Sequence, residues 1–567
     1  MNRSRPIAPV PVPLPVRLLL ALAAGCSTES YAADADREVE DILGQSHTEV
    51  LGDREQRVIR PEPEKPPAPA PAPTEPSGNV PPSGNAPPSG NAPPSGNAPP
   101  ANASAPPAQP PPAQTIDLAA ALATAFRDNR DYISRKESLY RQGLSISLAR
   151  FNYGPLWRST VSSVWNEVED AIGTANLLGS LGVSQILPTG GTVSVDSTFG
   201  NTWFERAANS RTFSSLQYNS SLSLNVTQPL LRGGGYEVSH EGLTQAERDL
   251  VYAIRDFELF RENFSITIAR SFFDLVGQQQ TLGNVESNAR QAVFDRRKAE
   301  ALLQVDRNND QEVYRARRRE IDAQNQLLDA RTAYQRARDQ FKVQLGMATS
   351  TPVEIASQDP PFVTVRLDRT SAVEAAKHNR LDLLTERERL EDTERSVRLA
   401  ENAILPQLDM NLGLGFGHPP DTSLVDALPD RWNASAAVTM EIPLQRKAER
   451  NSLRSSQLAL DQARRDYTQR LDQVQLDIED QLRSLRRLEQ QIDLQREQIT
   501  QEQRAVTVTE IRYQAGDLDN RDLLEARQAL FNAQNALITL SAQHFVARLT
   551  LMRDLGLLFV DDQGVWR

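Results

Sequence analysis

The sequence predicts a mostly α-helical protein that also builds part of a membrane β-barrel, from a duplicated helix-strand-strand-helix unit with long coiled-coil helices. Three observations lead there. The stretch Ala316 to Gly346 recurs 210 positions later as Ala526 to Gly556 in one ungapped register, with Ala316/Ala526, Arg317/Arg527, Ala323/Ala533, Gln324/Gln534, Asn325/Asn535, Leu327/Leu537, Ala337/Ala547, Arg338/Arg548, Leu345/Leu555 and Gly346/Gly556 identical. Two proline-bounded segments alternate apolar and polar residues, and two long tracts, after Pro229 and after Pro443, contain no proline for more than a hundred residues.

A register that tolerates no insertion is the mark of a long helix, because each added residue rotates the buried stripe out of place. The opening of the halves also corresponds, at a different offset: Ala125 to Arg130 matches Ala375 to Arg380, and Pro155 matches Pro406. Between Pro155 and Pro229 lie 73 residues, but only 36 lie between Pro406 and Pro443. The first copy therefore holds about one extra hairpin.

The proline-bounded segments read as strands. Leu408, Met410, Leu412, Leu414 and Phe416 alternate with Gln407, Asp409, Asn411, Gly413 and Gly415; Ala434, Ala436, Val438, Met440 and Ile442 follow the same period, as do Leu216, Tyr218, Leu222, Leu224 and Val226. Runs of about ten residues suit tilted strands crossing a bilayer core. The wall of a soluble sandwich has the same pattern, but no β-rich region outside these segments is available for a second sheet. A few strands from one chain do not close a barrel, so several chains are expected to share one. The extra segment, Gly182 to Leu187 and Thr192 to Gly200 around Pro188-Thr189-Gly190-Gly191, reads as a hairpin that either joins the barrel or forms an external flap.

The helical tracts are rich in charged residues, Gln and Ala. Leu471, Val474, Ile478, Leu482, Leu485, Leu488 and Ile492 follow 3/4 spacing, which lays an apolar seam along one face. A helix over 244–304 extends roughly 90 Å at about 1.5 Å per residue, far beyond the needs of a globular core.

Taken together, the Leu118-to-Asn129 opening helix, Ile404-Leu405-Pro406 entering a strand, Thr227-Gln228-Pro229-Leu230-Leu231 leaving one, and Arg512-Tyr513-Gln514-Ala515-Gly516 before Asp522-Leu523-Leu524-Glu525-Ala526 resemble the TolC-type outer-membrane efflux (channel-tunnel) family. The resemblance covers about residues 115–560. It implies a homotrimer in which each chain gives four strands to a shared barrel and its helices to a periplasmic tunnel. It further implies a periplasmic adaptor protein and an inner-membrane transporter as partners, with the channel itself a passive exit duct. Six strands per chain, if the extra hairpin joins, predict an 18-stranded trimeric barrel.

The resemblance assigns the helix tips to closing the periplasmic mouth and docking the adaptor. In the second half the tip is Gly516, Asp517, Leu518, Asp519 and Asn520; the 210 offset places Asp306, Arg307, Asn308, Asn309 and Asp310 at the equivalent point of the first. As plain chain reversals both are also adequate, with Asn and Asp capping the next helix.

The single cysteine, Cys26, excludes an intrachain disulfide. It follows Arg17, Leu18-Leu19-Leu20-Ala21-Leu22 and Ala23-Ala24-Gly25, which resembles a lipoprotein signal ending at a lipidated (palmitate-bearing) cysteine anchored in outer-membrane lipid. Ordinary cleavage near Ala32, or a free thiol, are the alternatives. Residues 1–25 then form the signal peptide, 26–60 a mature N-terminal segment, 61–114 a Pro-rich disordered tether, 115–350 the first channel repeat and 365–560 the second. Residues 61–113 hold 21 of the 37 prolines and repeat Pro-Pro-Ser-Gly-Asn-Ala. Such a segment buries no core and spans on the order of 160 Å at about 3.1 Å per residue; recognition of its proline repeat by a partner is the lesser reading.

The formal charge is −12, and residues 1–25 contribute Arg3, Arg5 and Arg17 with no acid, leaving −15 without them. Nucleic acid is disfavoured as a partner. No catalytic constellation, metal motif or cofactor site is expected: His47, His240, His378, His418 and His544 are scattered, and Gly233-Gly234-Gly235 lacks a following Lys-Ser/Thr and reads as a flexible join between strand and helix. A type I protein secretion duct and a non-transporting coiled-coil envelope scaffold are the competing functions.

Overall fold

The computed structural model describes residues 28–51, 114–166, 172–208, 211–304, 310–417, 431–515, 517–518 and 520–566. Two long helical hairpins dominate. In the first, α5 (Glu241–Gln304) packs against α6 (Asp310–Gln344); in the second, α9 (Lys447–Ala515) packs against α10 (Asn520–Asp554). At about 1.5 Å per residue, the 69 residues of α9 extend about 100 Å. Val474, Ile478, Leu482, Leu485, Leu488 and Ile492 are all buried, so the 3/4 seam is the packed face.

α5 and α9 are each about twice the length of their partners, and a second helix covers the remainder. α3 (Arg130–Tyr153) lies against α5, and α8 (Leu381–Ala403) against α9. The column is continued head to tail. Asn129 caps α3 by accepting from the Tyr132 amide at 2.9 Å, and its Nδ2 donates to the Gln344 carbonyl at the end of α6 at 2.7 Å. Asn379 donates to the Leu555 carbonyl at 3.4 Å, placing the end of α10 at the start of α8. Both abutting ends close in the same way. Gly346 (φ 78°) sends its N–H to Val343 and Met347 sends its own to Lys342; Gly556 (φ 68°) and Leu557 do so to Arg553 and Met552. This is the left-handed helix terminus that glycine forms without strain.

Short helices α2 (Leu118–Asp128) and α7 (Arg369–Asn379) flank the joints, capped by Asp117 on the Ala120 amide and Asp368 on the amides of Thr370 and Ser371. Aromatic rings fill the core at this level: Phe126 lies 4.7 Å from Tyr132 and 5.3 Å from Phe264, and Phe273 lies 4.8 Å from Phe545. A parallel pair, β1 (Gln114–Ile116) with β6 (Val353–Ile355), closes it; Gln114, placed at the end of the tether by the sequence, is already paired there. Residues 26–60, for which the sequence suggested no element, contain α1 (Thr28–Leu51), which buries Val39, Ile42 and Leu43 against α3 and α5.

All remaining strands form one antiparallel sheet in the order β2 (Leu156–Asn166), β3 (Ile172–Ile186), β4 (Thr192–Ala208), β5 (Arg211–Pro229), β7 (Gln407–Gly417), β8 (Arg431–Glu441). The extra hairpin is thus part of the sheet and not a flap, and it is longer than its alternation suggested. The two halves meet where β5 pairs with β7. Among the described residues the sheet is open, with β2 and β8 at its edges. Among the described residues no helix is long and apolar enough to cross a membrane.

Candidate functional site: the sheet wall, its junction and the helix tips

Side-chain period 2 and an unbroken register give the sheet two faces. One row runs Trp157, Val183, Val195, Leu224, Leu414, Ala434 across all six strands; the next runs Arg158, Gly182, Asp196, Ser223, Gly415, Asn433. The apolar face is left open to the surroundings: Trp157 is 73% exposed, Trp432 72% and Val438 66%. On the polar face hydroxyls and amides bond across strands, Thr160 with Ser180 at 2.5 Å, Thr198 with Ser221 at 2.5 Å and Thr227 to Asn411 at 3.0 Å, while Arg158 stands 3.7 Å from Asp196. The alternation of a wet face with an exposed greasy one is the pattern that strands of a transmembrane barrel also carry.

The join between sheet and helices is tied, contrary to the flexible link expected of Gly233-Gly234-Gly235. The Gly233 amide donates to Asn402 Oδ1 at 2.8 Å, the Gly234 amide to Leu231 O at 3.2 Å and the Gly235 amide to Thr189 O at 2.9 Å. Gln228 Nε2 also donates to Thr189 O at 3.0 Å, so the turn of the extra hairpin is bolted to the junction. Glycine is required here by φ values of 82° at Gly233 and 95° at Gly235, not by mobility. The ring of His240 stacks between Tyr153 and Tyr236 at 4.7 and 4.6 Å.

Below the junction the halves are joined by charge. Arg248 of α5 contacts Asp392 at 2.5 Å and Glu391 at 2.9 Å on α8, and Arg255 contacts Glu388 at 2.7 Å. Tyr252 donates to Asp392 at 2.6 Å; burial together with that carboxylate pushes its hydroxyl up to about 12.

At the tips, Asp310 opens α6 and is exposed, Asp517 is exposed with its amide donating to Arg512 O at 3.0 Å, Leu518 is half-buried, and Asn520 opens α10. Asp306, Arg307, Asn308, Asn309, Gly516, Asp519 and the lipidation candidate Cys26 lie outside the described residues.

Just behind the tips is a cluster that the sequence did not reveal. Arg527 of α10 contacts Asp295 of α5 and Glu510 of α9, each at 3.4 Å; Lys298 Nζ sits 4.4 Å above the Tyr513 ring; Arg319 of α6 donates to Leu524 O at 3.3 Å. Every one of these contacts but Arg527–Glu510 joins the first hairpin to the second. Burial, and after it the nearness of Arg527, lowers the affinity of Arg319 for its proton, with Asp295 acting against both. One ion pair, one cation–π contact and one hydrogen bond thus link the two hairpins at this level.

A one-sided apolar sheet joined to helical hairpins of this length is the architecture of the channel-tunnel fold. Residues 372–557 match the model of the outer membrane efflux protein family. No curated protein sequence matches the chain. Among solved structures, the outer membrane protein VceC of Vibrio cholerae is 17% identical with a TM-score of 0.57, over 77% of this chain and 96% of that one. The Campylobacter jejuni CmeC outer membrane channel is 16% identical with a TM-score of 0.58, over 82% and 94%. The open state of the Neisseria gonorrhoeae MtrE outer membrane channel is 14% identical with a TM-score of 0.54, over 78% and 89%. The resemblance to TolC-type channels therefore holds in the sequence of residues 372–557 and in the fold over 77–82% of the chain.

Proposed function

We propose that the protein is the outer-membrane subunit of a tripartite efflux system, a passive duct assembled from three chains. The observation that carries this reading is the apolar row from Trp157 to Ala434, exposed on a sheet whose two edges are unpaired. In hydrocarbon an open edge leaves backbone groups unsatisfied, at several kcal/mol for each, so closure must come from further copies. Six strands from each of three chains make an 18-stranded barrel, with β8 of one chain beside β2 of the next.

The hairpins then form the periplasmic tunnel, and the tips, with Asp306–Asp310 and Gly516–Asn520, dock an adaptor that connects to an inner-membrane pump. The Arg527–Asp295 cluster holds the mouth shut, and opening is a small rearrangement of the coiled coils behind the tips. Acidic groups such as Asp517 and Asp519 attract cations to that mouth. Lipidation of Cys26 adds an anchor in the same membrane. Purified protein reconstituted into planar bilayers tests the reading: discrete conductance supports a duct, and a silent bilayer with correctly inserted protein favours a non-transporting scaffold instead.

A further inference from the structure

Where β8 passes into α9, an apolar surface gives way at once to a basic one. Ile442 and Leu444 are exposed just past the end of the strand, Leu444 at 96%. Arg446 fixes the turn that follows, its Nη1 donating to Ile404 O at 2.6 Å and its Nε to Pro443 O at 3.3 Å. α9 then opens with Lys447, Arg450 and Arg454, which share a face at i, i+3 and i+7 and are all exposed. Among the described residues no carboxylate pairs with them; Arg450 and Arg454 reach the amide oxygens of Asn451 and Gln457, at 3.5 and 3.2 Å. Glu449, the one acid from Lys447 to Leu460, is half-buried on the other side of the helix with Leu453 and Leu460.

In a shared barrel β8 of one chain stands beside β2 of the next, so the start of α9 stands beside the end of the next chain's α3. That stretch, Leu144 to Tyr153, holds a single charged residue, Arg150, which pairs with Glu247 at 3.5 Å. Leu148 and Phe151 are exposed on it, and Trp157 follows on β2. The seam thus gathers three cations against an apolar, acid-free surface, where they are poorly compensated unless an anion joins them. Lys447 to Arg454 covers about 10 Å along the helix, close to the roughly 5–8 Å of the headgroup layer under the hydrocarbon. A zwitterionic headgroup brings its own cation and neutralises nothing, so net negative charge is favoured. Resting on the trimeric reading, we propose that each seam binds an anionic phospholipid of the helix-side leaflet, its phosphate on Lys447, Arg450 and Arg454 and its acyl chains over Leu444, Phe151 and Trp157.

The test compares the full chain in phosphatidylcholine vesicles with and without phosphatidylglycerol, reading the temperature at which trimers dissociate. The anionic lipid should raise that temperature by several degrees, and Lys447→Gln, Arg450→Gln and Arg454→Gln together should abolish the rise. Arg465→Gln, exposed on the same side of α9 but about 27 Å further from the sheet, should keep it. A rise that the triple variant retains, or that the native chain lacks, overturns the proposal. Inorganic phosphate that reproduces the rise in phosphatidylcholine alone makes the ligand a free anion and overturns it too. A native chain that is monomeric in both vesicles sinks the trimeric reading, and this inference with it. Should the triple variant not assemble, Lys447→Gln and Arg454→Gln decide the matter singly: each should reduce the rise, and two unreduced rises overturn the proposal.

Discussion

Arg527 and Asp295, 232 positions apart in sequence, meet at 3.4 Å between the two hairpins of one chain, within about 15 Å of the helix ends. Asp295 is buried, so the contact is screened less than a surface pair. Arg527→Ser removes the ion-pair partner of that carboxylate, leaving it only the Gln291 amide at 2.8 Å, and favours separation of the hairpins. The expected result is a several-fold rise in single-channel conductance with unchanged assembly. Reversal of both charges, Arg527→Asp with Asp295→Arg, should bring conductance back toward that of the parent.

Gly346 turns back over the start of α3, and a β-carbon there would collide with the Asp128 carbonyl; Gly556 stands in the same way over Asn379. With φ at 78° as well, Gly346→Ala should cost about 1–3 kcal/mol. Asn129→Ala, which removes both the cap and the bond to Gln344, should cost about 1 kcal/mol. Thermal unfolding followed by circular dichroism reads both. Substitution of Gly235 by Ala, at a comparable φ but with open space around the missing β-carbon, should be the milder change.

Acid should loosen the helical region in two stages. His544 is buried beside the Phe362 ring, and burial holds its proton affinity below the ordinary value, with Glu489 at 3.7 Å opposing. The folded state therefore prefers the neutral ring, and stability is lost as pH falls below about 6.5. Burial raises the Asp382 carboxyl, but Arg380 at 2.8 Å and Arg470 at 2.6 Å more than reverse this and hold it at about 2. Its contribution is complete above the ordinary carboxylate value and lost between about pH 5 and 2. Melting temperature against pH should fall in both windows, with Asp382→Asn flattening only the lower one.

Lipidation at Cys26 predicts incorporation of labelled palmitate into the native chain and none into Cys26→Ser. An unlabelled native chain would instead point to ordinary cleavage or a free thiol.

What could be read from the sequence was what neighbouring residues encode. The 3/4 seam from Val474 to Ile492 and the alternation in 407–416 depend on nearby spacing, and both elements formed where expected. The Pro188–Gly191 turn announced a hairpin, but its place in the sheet depends on pairing Val195 with Leu224 and Leu224 with Leu414, which no local pattern specifies. α1 escaped notice because Val39, Ile42 and Leu43 are few among acidic neighbours. Asp295, Lys298 and Arg527 sit in charged tracts where a residue that bridges two coiled coils looks the same as one that faces water. The triple glycine was read for freedom, whereas its backbone is fixed by partners brought from Asn402 and Thr189.

The central claim is that β2 and β8 are edges completed by sister chains, and cysteine cross-linking reads this directly. Pairs drawn from 156–166 and 431–441, scanned in a Cys26→Ser chain in native membranes, should include a register that converts the protein to a covalent trimer under oxidation. If no pair links chains, or if β2 and β8 link only within one chain, the shared barrel is contradicted.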